Sequence, residues 1–255
     1  GKELAEMGEL AKAGAIGFSD DGHPVADSNM MRQALSYSSA HGLPIIDHCE
    51  APDLFRDGVM NEGWVSNHLG LRGVPSSAED VMVARDIALA ELTGGRLHLA
   101  HVSTAAAVQA VRDAKKRGLN VTCEVTPHHL TLTDEATLGY DTNTKMAPPL
   151  RSRADVEACR QALAEGVIDV IATDHAPHAL HEKEVEFVAA PPGVLGFETA
   201  YAVCMDLVRE SELAPLELIR RMSTTACRIM NIPGGSLADG QPGDVVVLDP
   251  ERRWT

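Results

Sequence analysis

Aromatic side chains are scarce here: two Trp, three Tyr and four Phe in 255 residues. A core of this size must therefore be filled mainly by Ala, Val and Leu. Basic charge is also short, with 22 Lys and Arg against 37 Asp and Glu and a formal net charge of −15. That balance argues against nucleic acid or an anionic membrane as partner, since both need a basic face. No apolar run approaches the ~20 residues of a membrane-spanning helix, and no secretory signal pattern is read. The five cysteines are odd in number and form no C-x-x-C pair. They fit reduced thiols in a cytoplasm better than a disulfide framework or a zinc knuckle. Neither G-x-G-x-x-G after the first strand nor G-x-x-x-x-G-K-[ST] occurs, so nucleotide folds lose their usual marker. The chain opens on Gly1, not Met, inside a helical pattern, and is expected to continue a longer protein.

What is present is a regular alternation of helical and strand-like segments. "ELAEMGELAKAG" has helical spacing up to Gly14, and the strand "AIGFS" and the loop "DDGHPVADSN" follow. The helix "MMRQALSYSSAHG" closes at Gly42 before the strand "LPIIDHC". A long polar loop leads to the helix "SAEDVMVARDIALAELTGG", with Ser76 or Ser77 as N-cap. Three more pairs follow: "RLHLAHV" with "TAAAVQAVRDAKKRG", "NVTCEVT" with "ADVEACRQALAEG", and "VIDVIAT" with "FETAYAVCMDLVRES" and "APLELIRRMSTTACRIM". A Gly/Pro-rich stretch separates these from a strand-like tail, "GDVVVLD". Such alternation predicts parallel β/α units, as an open doubly wound sheet or a closed (β/α)8 barrel.

The strand ends carry the chemistry. The first ends at Asp20 and Asp21, the second at His48, the third at His101 and the fifth at Asp174, while the fourth ends at Thr126 with His128 and His129 beyond. In a parallel barrel these ends meet on one face, where active sites are built. Two imidazoles and two carboxylates on rigid strands suit a divalent metal.

"FSDDG", "IIDHCE", "LAHVST", "CEVTPHHL", "KMAPPLR" and "ATDHAPH" occur in the order and at the spacing of the dihydroorotases of the amidohydrolase superfamily. The resemblance is to the bacterial form with a bridging aspartate and covers nearly the whole chain, including "PPGVLGFETA" and "GDVVVLDP". It implies a partial TIM barrel, strands 4 to 8 of eight, over residues 1–235. Residues 236–255 would begin a C-terminal β-sandwich segment. On this resemblance Asp21 bridges two zinc ions, His48 and His101 ligate one, and Asp174 ligates the other and acts as catalytic acid/base. His178 would contact the substrate carboxylate, with backbone around Ala147, Pro192 and Gly193 holding the ring. The H-x-H pair, Arg and Asn that complete such sites have no counterpart in this span. The fragment alone is expected to be inactive, because a five-stranded arc leaves both edges unpaired.

The implied reaction is the reversible, zinc-dependent interconversion of dihydroorotate and N-carbamoyl-L-aspartate in pyrimidine synthesis, in the cytoplasm. A homodimer or a complex with aspartate transcarbamoylase is the implied assembly. A hydantoinase or allantoinase is the alternative within the fold, disfavoured because no lysine stands in "FSDDG". A non-catalytic scaffold subunit for aspartate transcarbamoylase is the alternative of another class. Taken singly, several residues read as structural. His98 reads as a core residue, His128 and His129 as a loop pair, and His175 as a support for Asp174 or its loop. His23, His41, His68 and His181 read as surface positions. Cys49 should point away from His48, and Lys183 in "HEKEVEF" reads as part of a solvated charge run.

Overall fold

In the computed structural model, residues 3–252 are described. Gly1, Lys2 and residues 253–255, at the outer limits of the two expected segments, lie outside them. Helix α1 (Met7–Lys12) precedes strand β1 (Phe18–Ser19), helix α2 (Ser28–Ser39) and strand β2 (Ile45–Asp47). An excursion follows, with α3 (Pro52–Phe55), β3 (Met60–Asn61), α4 (Trp64–Leu69) and β4 (Gly73–Val74). The main body resumes with α5 (Ser77–Thr93), β5 (Leu97–Leu99), α6 (Ala105–Lys116) and β6 (Val121–Val125). Then come α7 (Pro127–Thr131), α8 (Arg153–Glu165), β7 (Val170–Ile171) and α9 (Leu180–Lys183). The chain closes its folded body with α10 (Ala200–Arg209), α11 (Pro215–Ile219) and α12 (Thr225–Met230).

β1, β2, β5, β6 and β7 form one five-stranded sheet in that order, every pair parallel. The register runs Phe18 to Ile45, Ile45 to Leu97, Leu97 to Val121, and Glu124 to Val170. Parallel neighbours cannot be joined by a tight turn, and here α2, α5, α6 and α8 lie in the connections between successive strands of the sheet. Leu97, Leu99, Val121, Cys123 and Val125 bury from the strands against Leu35, Val83, Ile87, Val111, Cys159 and Leu163 from the helices. The core is aliphatic, as the shortage of aromatics demands.

Helix starts follow capping chemistry. Asp27, Thr104 and Ser152 each accept a backbone N–H of the first turn, from Met30, Ala107 and Asp155. Ser76 occupies the N-cap of α5 but makes no side-chain cap bond. The expected stops at Gly14 and Gly42 fall after the actual ends at Lys12 and Ser39. The single helix expected over the last pattern is divided by a π-turn at Arg220–Thr224.

Two expectations fail on larger segments. The polar loop after β2 is structured, with β3 pairing β4 in parallel and Met60 and Val65 packing on Phe187. The tail "GDVVVLD" forms no strand among the described residues. Val245, Val246 and Val247 are 63%, 78% and 93% exposed. A strand exists only with a partner to share its ladder, and none is supplied there.

Candidate metal and substrate site

Because all five strands run the same way, their C-terminal ends gather the expected side chains. His48 Nδ1 lies 2.9 Å from His101 Nε2, and Asp21 Oδ1 lies 3.7 Å from the same His101 nitrogen. One donor atom from each of these three residues falls within 4.8 Å of the others. Asp21, His48, His101 and Asp174 line a cavity of about 200 Å³ with Gly22, Ala147, Ala176, Pro192 and Gly193. His178 does not line it; its Nε2 donates to Pro192 O at 2.8 Å, behind the wall. Asp20 lines a separate cleft beside β1, so Asp21 is the carboxylate that faces the imidazoles.

Backbone shape aims these groups. His101 and Asp174 have φ of 34° and 48°, left-handed values that ordinary residues avoid and that concentrate at functional sites. Gly193 has φ of 120°, and a Cβ there would lie 2.6 Å from Ala176 Cβ, so only glycine fits this part of the wall. Loop 174–197 is closed on itself by an isolated parallel bridge between His175 and Val194. His175 Nδ1 accepts from Gly196 N–H at 3.0 Å, and its ring stacks on Phe197. It therefore supports the loop, as expected.

The arrangement fits a divalent cation. His48 Nε2 bonds Glu50 Oε2 at 3.0 Å with both side chains buried, which leaves Nδ1 directed at His101. A carboxylate behind a ligating imidazole is the usual support in metal sites. His101 Nδ1 is buried with no hydrogen-bond partner. Burial works against a charge on His101, yet the close Asp21 carboxylate and the charges of Asp174 and Glu124 raise its pKa to about 9. The site thus calls for positive charge at this point, which a cation supplies as well as a proton does. Asp21 is held below the usual carboxylate range by its bond to His101, against the effect of burial. Asp174 is pushed up by burial and by the charge of Asp21, although His101 draws it down. Raised affinity for a proton is what a carboxylate needs to serve as a base near neutral pH.

The structural readings of the other residues also find their places. His98 is buried between Thr122 Oγ1, at 2.8 Å, and Glu124 Oε2, at 3.0 Å. Cys49 points away from His48, its thiol 3.4 Å from Asp47 Oδ2 and 3.5 Å from Asp86 Oδ2. His129 bonds Thr126 Oγ1 and Pro148 O, bracing the segment that carries Ala147. His128 is buried beside it, and both lie in the short helix α7 instead of the expected loop, while His23, His41, His68 and His181 are exposed.

Sequence reasoning missed several supports. Glu50 could have been found by strand-like alternation, two residues from His48. Arg151 and Glu79, both nearly inaccessible, form an ion pair at 3.4 Å. Glu79 also accepts the N–H groups of Ser103 and Thr104, fixing the turn just after His101. Lys183 is half-buried and tethered rather than part of a free charge run: its ammonium donates to Thr142 O and Pro191 O.

Comparison with known proteins fits this geometry. The chain superimposes on L-hydantoinase from Arthrobacter aurescens with a TM-score of 0.83 at 22% identity, over 94% of this chain and 56% of that one. D-hydantoinase from a Bacillus sp. AR9 matches with a TM-score of 0.81 at 25% identity, over 95% and 58%. The five-stranded sheet is accordingly part of a (β/α)8 barrel of the amidohydrolase type. Residues 1–107 match the family described as dihydro-orotase-like. The chain is 57% identical to the dihydroorotase of Anaeromyxobacter dehalogenans strain 2CP-1 over 257 residues, covering 100% of this chain and 59% of that protein. It is 55% identical to the dihydroorotase of Pelotomaculum thermopropionicum, covering 98% and 59%. The chain belongs to the dihydroorotase-like family and spans about 59% of the length of these relatives. Among the described residues no helix is long and apolar enough to cross a membrane.

Proposed function

We propose that this chain supplies the metal-binding and proton-transfer side chains of a zinc-dependent cyclic amidohydrolase, one that interconverts dihydroorotate and N-carbamoyl-L-aspartate in de novo pyrimidine synthesis. The observation that carries the reading is the convergence of Asp21, His48, His101 and Asp174 on one cavity at the strand ends. Homology to proteins named dihydroorotase supports the substrate. Asp21, His48, His101 and Asp174 would hold zinc, two ions in a complete site. When bound, such an ion lowers the pKa of water and polarises a carbonyl.

The remaining work belongs to the chain's own groups. Asp174, its proton affinity raised by burial, takes a proton from the attacking water and delivers it to the ring nitrogen as the amide C–N bond breaks. The carbonyl carbon keeps the water oxygen and becomes the new carboxylate as the second water proton is released to solvent; ring closure reverses each transfer. Glu50 fixes the ring of His48, and Gly193 lets the wall approach the ring of the substrate. His178 would support this wall through Pro192 O and, by turning its ring, reach the substrate carboxylate. We assign residues 1–235 to the barrel and 236–255 to the start of a β-sandwich segment, a reading the exposed valines of the tail favour. Five thiols without a disulfide suit the cytoplasm.

The test is turnover of dihydroorotate, hydantoin and allantoin by the intact protein, with metal analysis. Preference for dihydroorotate and two zinc per chain is the expected result. A metal-free protein, or one that prefers hydantoin, would overturn the reading.

A further inference from the structure

Two lysines beside the cavity make an unusual set of contacts. Lys145 is buried and Lys183 half-buried. Among the described residues neither ammonium forms an ion pair with a carboxylate; each is held by backbone carbonyls. Lys183 Nζ donates to Thr142 O at 3.0 Å and to Pro191 O at 2.8 Å. Lys145 Nζ donates to Phe187 O at 3.0 Å and to Val188 O at 2.8 Å. Bonds also run the other way: Thr142 Oγ1 donates to Lys183 O at 2.6 Å, and Gly193 N–H donates to Lys145 O at 2.8 Å. Five of these six bonds join residues 142–145 to residues 183–193, and the sixth, from Lys183 to Pro191 O, ties the second segment to itself.

Both joined segments run directly into the cavity wall. Ala147 lies just past Lys145, and Pro192 and Gly193 lie just past Pro191. Pro191 and Pro192 have no N–H, so this stretch can be fixed through its backbone only by accepting hydrogen bonds. Pro191 O is taken by Lys183 and Pro192 O by His178. An ammonium, with three donors and no fixed plane, can bind two carbonyls from different segments at once. Burial lowers the pKa of both lysines, and the charge of Lys183 adds to the effect on Lys145.

We propose that Lys183 and Lys145 are positioning residues: they staple the Pro191–Gly193 wall to the segment bearing Ala147. The substrate used to read binding rests on the dihydroorotase reading; the staple does not. Neither lysine needs to touch the substrate. Removing Lys183 should loosen the wall and weaken substrate binding while leaving the proton transfer at Asp174 in place.

The experiment uses the intact protein and the variants Lys183→Met, Lys183→Arg and Thr142→Val. Two readouts are taken: hydrogen exchange at the Gly193 amide, and the separate KM and kcat for N-carbamoyl-L-aspartate. Lys183→Met should speed Gly193 exchange by about tenfold or more, the scale of a lost charged hydrogen bond. Its KM should rise by about tenfold with kcat little changed, the pattern of lost ground-state binding. Lys183→Arg should recover much of both. Thr142→Val, which removes one return bond and no charge, should move both in the same direction but less, and keeps the test usable if Lys183→Met does not fold. Unchanged exchange at Gly193 in folded variants overturns the staple. Faster exchange with unchanged KM overturns its role in binding. If the wild-type protein does not act on this substrate, the functional reading fails while Gly193 exchange still decides the staple.

Discussion

Replacing Arg151 by Met should destabilise the protein by about 3–5 kcal/mol, the cost of leaving one member of a buried ion pair alone. Arg151 is 1% exposed and its partner Glu79 is also buried. The guanidinium donates to Ser103 Oγ at 3.0 Å, Asn61 Oδ1 at 3.3 Å and Glu79 Oε2 at 3.4 Å. Methionine fills most of the volume but supplies none of these donors. Burial already raises the pKa of Glu79, and Arg151 is the first of the groups that oppose the rise. In the variant the native pKa of Glu79 therefore climbs further above its unfolded value. A carboxyl shifted in that direction favours the fold when protonated, and its contribution is lost as pH rises from the unfolded toward the native pKa. The deficit of Arg151→Met should thus be smaller at pH 5 than at pH 8. Urea unfolding of wild type, Arg151→Met, Glu79→Gln and the double variant at both pH values measures this. The double variant should recover about 2 kcal/mol of coupling, within the range for contacting residues. A double variant as unstable as the sum of the singles, or a deficit independent of pH, would refute the reasoning.

Three further outcomes follow from the site and its surroundings. Glu50→Gln should weaken metal affinity by about 10–100-fold, because His48 loses its charged partner; chelator competition measures it. Asp174→Asn should lower kcat by about 10²–10⁴-fold, the range for general acid/base groups, in single-turnover assays of the intact protein. Asp47, pushed up to about 8 by burial and by the charge of Asp86, should make stability fall as pH rises toward 8. Asp47→Asn should flatten that slope in thermal melts between pH 6 and 9.

The strand ends were legible in the sequence because each strand is a short apolar run that stops on a chemically distinct residue. Ile45–Asp47 running into His48, and Leu97–Leu99 running into His101, can be read by eye. The helices showed through their apolar spacing, whereas the caps at Asp27, Thr104 and Ser152 emerged only in the structure. What stayed hidden was non-local. β3 and β4 are two residues each, too short for any periodicity, and exist only through pairing with each other. Lys183 sits between glutamates, so its local pattern is that of a wet surface, while its acceptors lie 41 residues back and 8 residues ahead. Arg151 likewise meets Asn61, 90 residues earlier, across a fold that composition alone does not specify. The valines of the tail have strand propensity but, among the described residues, nothing to pair with.

The left-handed backbone at His101 and Asp174 bears on how an ion enters the site. Neighbouring tethers hold both turns: Glu79 grips the amides of Ser103 and Thr104, and Val194 O receives Ala176 N–H. The cradle is built during folding, so a cation meets donors that already face inward. Loading should consequently be rapid and nearly silent in circular dichroism, with its signature confined to the resonances of the two imidazoles.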